Sequence, residues 1–309
     1  MLAAPAACGP RLDSGAGTAQ SHRMIAPPSR AAAAATEAVH PVLQALLSRP
    51  YPAVMGVLNI TPDSFSDGGQ FIVPDRALAQ ARRMVDAGAD IIDIGAESTR
   101  PYGGAQPVSA EQEIERLRPV LADIVALGVP VSIDSMKATV VAFALASGAL
   151  IANDVWGLQR DPDMARLAAE RNCPVIVMHN RDHVDPAIDI MADISAFFVR
   201  TLDIASRAGL PAGNIVLDPG IGFGKTPGQS MTALARLDQI SSFGLPLLVG
   251  ASRKRFISSV IASEPQQRLG GSIAAHLMAA QRGAGIIRTH DVAETVQALR
   301  VAAAIEEKR

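Results

Sequence analysis

The sequence is short of cysteine, of long apolar runs and of net charge, and each shortage excludes a class of protein. Its two cysteines, Cys8 and Cys173, are too few for a disulfide framework and indicate a reducing compartment such as the cytoplasm. No stretch approaches the roughly 18 consecutive apolar residues that a membrane-spanning helix needs. A formal net charge of −2 provides no general attraction to nucleic acid or to an anionic membrane. We therefore expect a soluble cytoplasmic protein that binds neither.

Lysine is also scarce, since only four of the 28 lysines and arginines are lysines. In such an arginine-rich sequence, a remaining lysine favours a position where a compact ammonium serves and a planar guanidinium does not. Two of the four, Lys225 and Lys254, lie in loops that the motifs below also single out. We take Lys254 as a candidate site residue and leave the role of Lys225 open.

Residues 1–50 differ in composition from the rest of the chain. They are rich in Ala, Pro, Ser and Gly and lack a sustained apolar period. Because the continuous apolar core of a signal peptide is missing, the composition favours a disordered extension, with a transit peptide or a true start at Met24 as alternatives. We expect the folded domain to span residues 51–309, with a short helix over His40–Arg49 leading into it.

From residue 53 onward, apolar runs of strand length alternate with helical segments. The predicted strands are Val54–Asn59, Asp90–Gly95, Pro130–Asp134, Leu150–Asn153, Pro174–His179, Ile215–Asp218, Pro246–Gly250 and Gly285–His290. The predicted helices are Asp75–Gly88, Ser109–Leu127, Lys137–Ser147, Pro162–Arg171, Asp189–Gly209, Pro227–Phe243, Arg253–Arg282 (broken near Glu264–Gly270) and Val292–Glu306. This alternation predicts a parallel sheet covered by helices. Its length matches an α/β fold of the (β/α)₈ TIM-barrel type, with a doubly wound sheet as the alternative.

The polar residues favour the barrel, because they collect at the carboxyl ends of the predicted strands, where barrel enzymes carry their active sites. These ends carry Asn59, Glu97–Arg100, Asp134, Asn153, Asp154, His179, Asp218, Ser252–Lys254 and Arg288–His290. Two loops that follow strands, Ile60–Val73 and Ala96–Val108, are longer than the usual βα connection of roughly 2–6 residues. Their length predicts lids over a site.

The stretch Asp218–Lys225 follows an apolar strand and contains three glycines, which let the backbone approach a ligand closely. The sequence Gly-Lys-Thr at 224–226 suggests a phosphate-binding P-loop at first sight. That motif requires a glycine at the position of Pro219, and Asp218 would place a carboxylate beside the phosphates. A nucleotide-binding P-loop is therefore not favoured.

Seven motifs follow one another along the predicted barrel. They are Met55–Gly69, Glu97–Pro101, Ser132–Ser135, Asn153–Asp154, Asp218–Lys225, Ser252–Lys254 and Arg288–Asp291. In this order they resemble the dihydropteroate synthase family of folate biosynthesis. The resemblance implies a TIM barrel that joins 4-aminobenzoate to 6-hydroxymethyl-7,8-dihydropterin diphosphate and releases pyrophosphate. It also implies Mg²⁺ as a cofactor and a homodimer.

The resemblance assigns the pterin diphosphate to one set of residues: Thr99, Asp134, Asn153, Asp218, Lys254, Arg288 and His290. Asp134, Asp218 and Lys254 are expected to be catalytic. Carboxylates and a side-chain amide suit the N–H-rich edge of a pterin. Arg288 and His290 suit the diphosphate, since barrels often bind phosphate near strands 7 and 8. Helix capping by Asp134 or Asp154, a surface position for Lys254 and a structural role for His290 are the alternatives.

By the same resemblance, Asn59 is expected to bind Mg²⁺, which commonly takes few protein ligands and completes its shell with phosphate and water. The aminobenzoate is expected to contact Phe65, Arg100, Pro101, Phe223, Ser252 and Arg255. For the two phenylalanines, simple packing is the alternative. The implied reaction needs no protein nucleophile, because pyrophosphate leaves in a dissociative substitution and the arylamine attacks the pterin methylene.

Two other functions share parts of this pattern. A pterin-dependent methyltransferase domain has the same barrel and pterin-binding carboxylates but needs neither the Glu97–Pro101 loop nor the diphosphate residues. A non-catalytic pterin-binding relative should have lost a site residue, and this chain keeps all of them. Spare apolar positions in the last predicted helix suit either the core or a dimer interface. These positions are Val292, Val296, Leu299 and Ile305.

Overall fold

The computed structural model describes residues 38–60, 72–97 and 108–308, with side chains from residue 74 onward in the second range. Predictions for residues 1–37 and for most of the two long loops lie outside the described residues, as do those for Phe65, Thr99, Arg100 and Pro101. Within the described part of the chain, no helix combines the length and apolar character needed to cross a membrane.

Parallel strands close into a barrel, as the sequence predicts. They are β1 (Ala53–Asn59), β2 (Ile91–Gly95), β3 (Val131–Asp134), β4 (Ile151–Asp154), β5 (Val175–Met178), β6 (Ile215–Asp218), β7 (Leu247–Val249) and β8 (Ala284–Thr289). Each strand begins and ends within one residue of its predicted limits. Strand β1 pairs with β8, from Ala53 opposite Ile286 to Gly56 opposite Thr289. This pairing closes the sheet and excludes the doubly wound alternative.

Helices cover the outside of the barrel. They are α1 (Pro41–Leu47), α2 (Ile72–Asp86), α3 (Ala110–Leu117), α4 (Leu121–Val125), α5 (Ala138–Ala146), α6 (Met164–Arg171), α7 (Ile190–Arg207), α8 (Pro227–Ala235), α9 (Leu237–Ser241), α10 (Arg255–Val260), α11 (Leu269–Gln281) and α12 (Val292–Glu306). The prediction of a single helix over Ser109–Leu127 and another over Pro227–Phe243 is wrong, because each stretch forms two helices. Pro119, which lacks an amide proton, ends the first of them. The predicted break near Glu264–Gly270 is confirmed by a 3₁₀ turn over Pro265–Gln267.

Apolar side chains form an outer and an inner core. The outer core lies between the strands and the surrounding helices and contains most of the buried apolar residues. The inner core fills the barrel near the amino ends of the strands. Its members from the strands are Ala53, Met55, Ile91, Ile151, Ile176, Val216, Leu248 and Ile286.

Helix α1 closes the amino end of the barrel. His40 caps it by accepting a hydrogen bond from the Val42 N–H at 3.2 Å, and Pro41 occupies its first turn. Leu43 is fully buried and Leu46 is 6% exposed, and both pack against the inner core. The short helix predicted over residues 40–49 is thus confirmed, and it packs on the barrel although it precedes residue 51. The carboxyl ends of the strands lie at the opposite end of the barrel, which is its mouth.

Candidate active site

The interior of the barrel becomes polar one layer above its apolar inner core. Residues two apart in a strand face the same side of the sheet, so the residue two positions after each inner apolar residue also faces the interior. In five strands these residues are Asp93, Asn153, Met178, Asp218 and Arg288. Buried charges are costly unless they are paired, so their concentration at the mouth indicates a functional site.

A small cavity opens among these side chains. Its walls combine charged and apolar groups. The lining residues are Asn153, Val155, Met178, Asp218, Ile221, Phe223, Gly250, Lys254 and Arg288. Five residues that the sequence assigned to two different substrates are therefore brought together in one cavity.

The guanidinium of Arg288 links two buried carboxylates at the mouth. Its Nε donates to Asp93 Oδ2 at 2.6 Å, and its Nη2 donates to Asp134 Oδ2 at 2.7 Å. Asn153 Nδ2 donates to the same Asp93 oxygen at 3.1 Å. Four strands thus contribute to one hydrogen-bonded cluster, and each of its charged members is paired.

The electrostatics of this cluster favour a ligand that brings donors. Burial raises the pKa of Asp134 to about 7, because the loss of water outweighs the attraction of Arg288. Burial also raises the pKa of Asp218. For Arg288, burial lowers the pKa, but Asp93 and Asp134 outweigh that effect and raise it above its ordinary value. Asp93 Oδ1 and Asp134 Oδ1 are buried without a hydrogen-bond partner among the described residues, so both can accept from a ligand N–H.

The glycine turn after β6 places Asp218 and Phe223 at the cavity. Gly220 has a φ of +65°, which favours glycine, and its N–H donates to Asp218 Oδ1 at 2.7 Å. Phe223 is 8% exposed, and Lys254 Nζ lies 4.1 Å from the centre of its ring. Lys254 therefore lies in the site rather than on the open surface, at a distance typical of a cation–π contact.

Lys225 lies behind this turn and is 2% exposed. Its Nζ donates to Gly220 O at 2.9 Å and to Phe223 O at 3.1 Å, and lies 2.6 Å from His179 Nδ1. His179 Nε2 lies 3.0 Å from Asp193 Oδ2. Burial lowers the pKa of Lys225 to about 7, and burial together with the Lys225 charge holds the pKa of His179 far below its usual range.

The loop after β7 contains Ser252 and Arg253, and each of them bonds to a residue that follows β8. Arg253 has a φ of +57°, in the left-handed region that a non-glycine residue seldom adopts. Its guanidinium is bonded to both carboxylate oxygens of Asp291, with Nε at 3.0 Å from Oδ2. The hydroxyl of the preceding residue, Ser252, accepts from the His290 N–H at 3.2 Å and lies 3.0 Å from His290 Nδ1. The following residue, Lys254, lines the cavity.

A carboxylate joins the described ends of the second long loop. Glu97 Oε1 accepts from the Val108 N–H at 3.0 Å, and Glu97 Oε2 lies 2.7 Å from Lys137 Nζ. The same ammonium lies 2.6 Å from Oε1 of the buried Glu113. The Glu97 of the family-like motif thus has a structural role in fixing the two stems of the loop.

Asp154 caps the turn that follows β4, and not the next helix, which begins at Met164. Its carboxylate accepts from the N–H groups of Trp156 at 2.8 Å and Leu158 at 2.7 Å. The ring of Trp156 packs against a small apolar cluster that includes Phe223. The guanidinium of Arg160 lies 4.0 Å above the centre of that ring.

The remaining predicted residues lie around the mouth. Asn59 is half-buried at the end of β1, where it pairs with Gly95 of β2. Arg255 begins α10 and is exposed. Among the described residues, no group of three or more His, Cys, Asp or Glu side chains could hold a metal ion. The magnesium assignment to Asn59 stays a prediction.

Asp93 is a site residue that the sequence argument misses. It lies inside β2 rather than at a strand end, is fully buried and contacts both Arg288 and Asn153. A period-two pattern starting from Ile91 would have placed it on the interior face.

Known proteins share this architecture. The chain matches the pterin binding enzyme family over residues 55–290. It is 45% identical over 258 residues to the dihydropteroate synthase of Bacillus subtilis, across 83% of this chain and 90% of that protein. It is 48% identical over 258 residues to a probable bifunctional folylpolyglutamate synthase/dihydropteroate synthase of Haloferax volcanii. That match covers 82% of this chain and 30% of the longer relative.

A solved structure gives the same result. The dihydropteroate synthase of Xanthomonas albilineans, with 4-aminobenzoic acid, superposes with a TM-score of 0.80 at 43% identity. The superposition covers 84% of this chain and 94% of that one. Because the family match runs from the first strand of the barrel to the end of the last, the chain belongs to the dihydropteroate synthase family and is a transferase of folate biosynthesis.

Proposed function

We propose that the chain joins 4-aminobenzoate to 6-hydroxymethyl-7,8-dihydropterin diphosphate, which gives 7,8-dihydropteroate and pyrophosphate. The observation that carries the proposal is the set of buried acceptors at the barrel mouth. Asp134 and Asp218 supply carboxylates, and Asn153 supplies an amide. Two carboxylate oxygens, Asp93 Oδ1 and Asp134 Oδ1, have no hydrogen-bond partner among the described residues. A pterin edge rich in N–H donors complements such a set.

The same carboxylates suit a reaction that develops positive charge. When pyrophosphate leaves the pterin methylene, the ring system becomes cationic, and Asp134 and Asp218 at the cavity stabilise that charge. Lys254, over the face of Phe223, donates to a ring acceptor and prevents an excess of negative charge when the cavity is empty. The arylamine then attacks the methylene carbon and loses a proton, so that no protein nucleophile is required.

Arg288 and His290 are proposed to bind the departing diphosphate. Arg288 is oriented by two carboxylates, and its pKa lies above the ordinary value, so it stays charged throughout the working pH range. His290 is held by Ser252 through its backbone N–H and its Nδ1. Both groups project from the end of β8, where barrels commonly bind phosphate.

Magnesium fits the donor set at the end of β1 only if the substrate completes its coordination. Asn59 offers a hard amide oxygen, and the described residues supply no three-ligand cage. A Mg²⁺ ion that keeps waters and binds phosphate oxygens needs no more than this one protein ligand. When bound, the ion would neutralise charge on the leaving pyrophosphate.

The aminobenzoate is proposed to lie on the outer side of the cavity, against Phe223. The similar Xanthomonas albilineans structure contains 4-aminobenzoic acid, which supports this compound as a substrate. Ser252 and Arg255 lie on the adjacent loop after β7 and are proposed to contact the carboxylate. The predicted contacts with Phe65, Arg100 and Pro101 involve residues outside the described ranges.

The decisive experiment is turnover by the purified chain with both substrates and Mg²⁺. We expect pteroate and pyrophosphate to form in equal amounts, and a pure protein that forms neither would refute the proposal. Asp218→Asn should weaken 6-hydroxymethylpterin and its diphosphate to a similar extent, because it removes a ring contact. Arg288→Lys should weaken the diphosphate more, and the exposed Asp238→Asn serves as the control. Equal losses in both variants would contradict the division of roles.

We also propose a homodimer. Of the apolar positions in α12 that suited core or interface, Val292, Val296 and Leu299 are buried in the barrel domain, whereas Ile305 is 66% exposed. Further large apolar side chains on α10 to α12 are exposed, which supports an interface on this side. These are Val260 (74%), Met278 (44%) and Val301 (54%). Sedimentation equilibrium should give twice the chain mass, and a monomer at micromolar concentration would contradict the proposal.

A further inference from the structure

Lys225 is a buried charged group that the proposed reaction does not use. It lies on the side of the β6 glycine turn that faces away from the cavity, and its side chain is almost fully enclosed. The polar atoms around its Nζ are His179 Nδ1, Gly220 O and Phe223 O at 2.6, 2.9 and 3.1 Å, with His179 O at 3.5 Å. A buried ammonium is costly unless all three of its protons are bonded, and here three acceptors lie within 3.1 Å of it.

The donor and acceptor roles in this network follow from its outer end. Asp193 Oδ2 can only accept, and it lies 3.0 Å from His179 Nε2 and 3.5 Å from Arg181 Nε. His179 therefore carries its proton on Nε2 and presents a lone pair at Nδ1. Lys225 then donates to Nδ1, and the chain of bonds runs from Asp193 on α7 to the peptide groups of the turn. The low pKa of His179 agrees with a neutral ring.

The two turn carbonyls that Lys225 binds belong to the segment that holds the cavity wall. The Gly220 carbonyl accepts from Lys225 and from the Phe223 N–H at 3.1 Å, while the Gly220 N–H donates to Asp218 Oδ1 at 2.7 Å. The Phe223 carbonyl also accepts from Lys225, while its ring lies beneath the Lys254 ammonium. Besides the hydrogen bond from Phe223 to Gly220 and one from the Gly222 N–H to Ser230, the turn is thus held by the Lys225 ammonium at two of its carbonyls.

We propose that Lys225, oriented by His179 and Asp193, is a positioning residue that sets the conformation of the β6 turn and thereby aims Asp218 and Phe223 into the cavity. The part that concerns pterin affinity rests on the proposed function. Lysine is required because three acceptors converge on one point, which a planar guanidinium cannot satisfy. In a chain with four lysines, this geometry explains why position 225 is one of them.

Two variants of His179 separate the halves of the network. The side-chain oxygen of Asn can take the place of Nδ1, so His179→Asn keeps an acceptor for Lys225 and loses the link to Asp193. The amide of Gln can take the place of Nε2, so His179→Gln keeps the link to Asp193 and leaves Lys225 short of one acceptor. We expect His179→Asn to keep pterin affinity nearer to that of the unsubstituted chain than His179→Gln does.

Lys225 itself is tested in the full chain with 6-hydroxymethylpterin as the probe. Lys225→Met should weaken probe binding by roughly tenfold to a hundredfold, and Lys225→Arg should not restore it. The exposed Lys308→Met is the matched control and should bind the probe like the unsubstituted chain. Circular dichroism establishes that each variant is folded, so that loss of affinity is not loss of fold.

Amide hydrogen exchange without any ligand provides a readout that is independent of the proposed function. Exchange at residues 220–224 should accelerate in Lys225→Met and His179→Gln and stay unchanged in Lys308→Met. A folded Lys225→Met variant with unchanged exchange in this turn would overturn the proposal, as would equal behaviour of the two His179 variants. Failure of the unsubstituted chain to bind the pterin would count against the proposed function alone, because the exchange result would still decide the role of Lys225.

Discussion

Replacing Asp134 by asparagine should change how the stability of the protein depends on pH, so that the variant gains stability relative to the unsubstituted chain as the pH rises through 7. The pKa of this carboxyl is about 7 in the folded chain, against an ordinary value of 3.8. Between these two values, the folded state binds more protons than the unfolded state, so the contribution of Asp134 to stability is complete below pH 3.8 and is lost as the pH rises through 7. The difference of about 3 units corresponds to on the order of 4 kcal/mol.

Asparagine does not titrate, so the variant escapes this loss. The stability of Asp134→Asn relative to the unsubstituted chain should increase by about 1.4 kcal/mol per pH unit between pH 5 and 7 and then level off. Groups that do not face Asp134, including Asp154, whose pKa burial raises to about 6, contribute nearly equally to both proteins. The comparison therefore reports on Asp134 and on the charges that face it, which are Arg288, Asp93, Glu113 and Lys254.

The assay is urea denaturation followed by circular dichroism at pH 5, 6, 7 and 8 and constant ionic strength. Asp238→Asn removes an exposed carboxylate and should show a nearly constant difference from the unsubstituted chain. A difference for Asp134→Asn that is flat or falls with rising pH would refute the assigned electrostatics. Pterin affinity should fall in the same variant, because Arg288 in the cavity loses a carboxylate partner.

Three further outcomes test the architecture. Gly220→Ala should cost more than about 2 kcal/mol of stability, because its φ is +65° and a Cβ there would overlap a backbone carbonyl oxygen, whereas Gly228→Ala should change urea stability little. Leu43→Ala should cost roughly 2–5 kcal/mol in the same assay without changing probe affinity, because this fully buried side chain lies at the end opposite the mouth. Asp291→Asn should lower kcat/KM by about tenfold or more, because the left-handed Arg253 loses a charged partner; unchanged kinetics would show that the turn holds without it.

Local pattern predicts the barrel well, because each parallel strand is buried on both faces and leaves a continuous apolar run in the sequence. It predicts helix limits less well. The division at Pro119 follows from a residue that cannot donate, but the division at Arg236 occurs without proline or glycine. There the backbone leaves the helical region at φ −113° and ψ 30°, and the sequence contains no sign of it.

The site could be predicted where its residues end a strand, and not where it depends on closure of the barrel. Asp218 and Asn153 follow from position alone. The pairing of Arg288 with Asp93 joins residues 195 positions apart, and only the closure of the barrel, in which β1 pairs with both β8 and β2, brings them together. The role of Lys225 likewise depends on His179, 46 positions away, so no local motif could reveal it.

The position of Trp156 has an optical consequence. It is the only tryptophan of the chain, so all indole emission comes from one half-buried ring that packs beside Phe223 at the cavity wall. Pterins absorb near-ultraviolet light in the range where indole emits, so an occupied cavity should quench this emission by energy transfer. The guanidinium of Arg160 lies 4.0 Å above the centre of this ring. The protein thus carries a built-in fluorescent reporter of its own occupancy, with no second indole to dilute the signal.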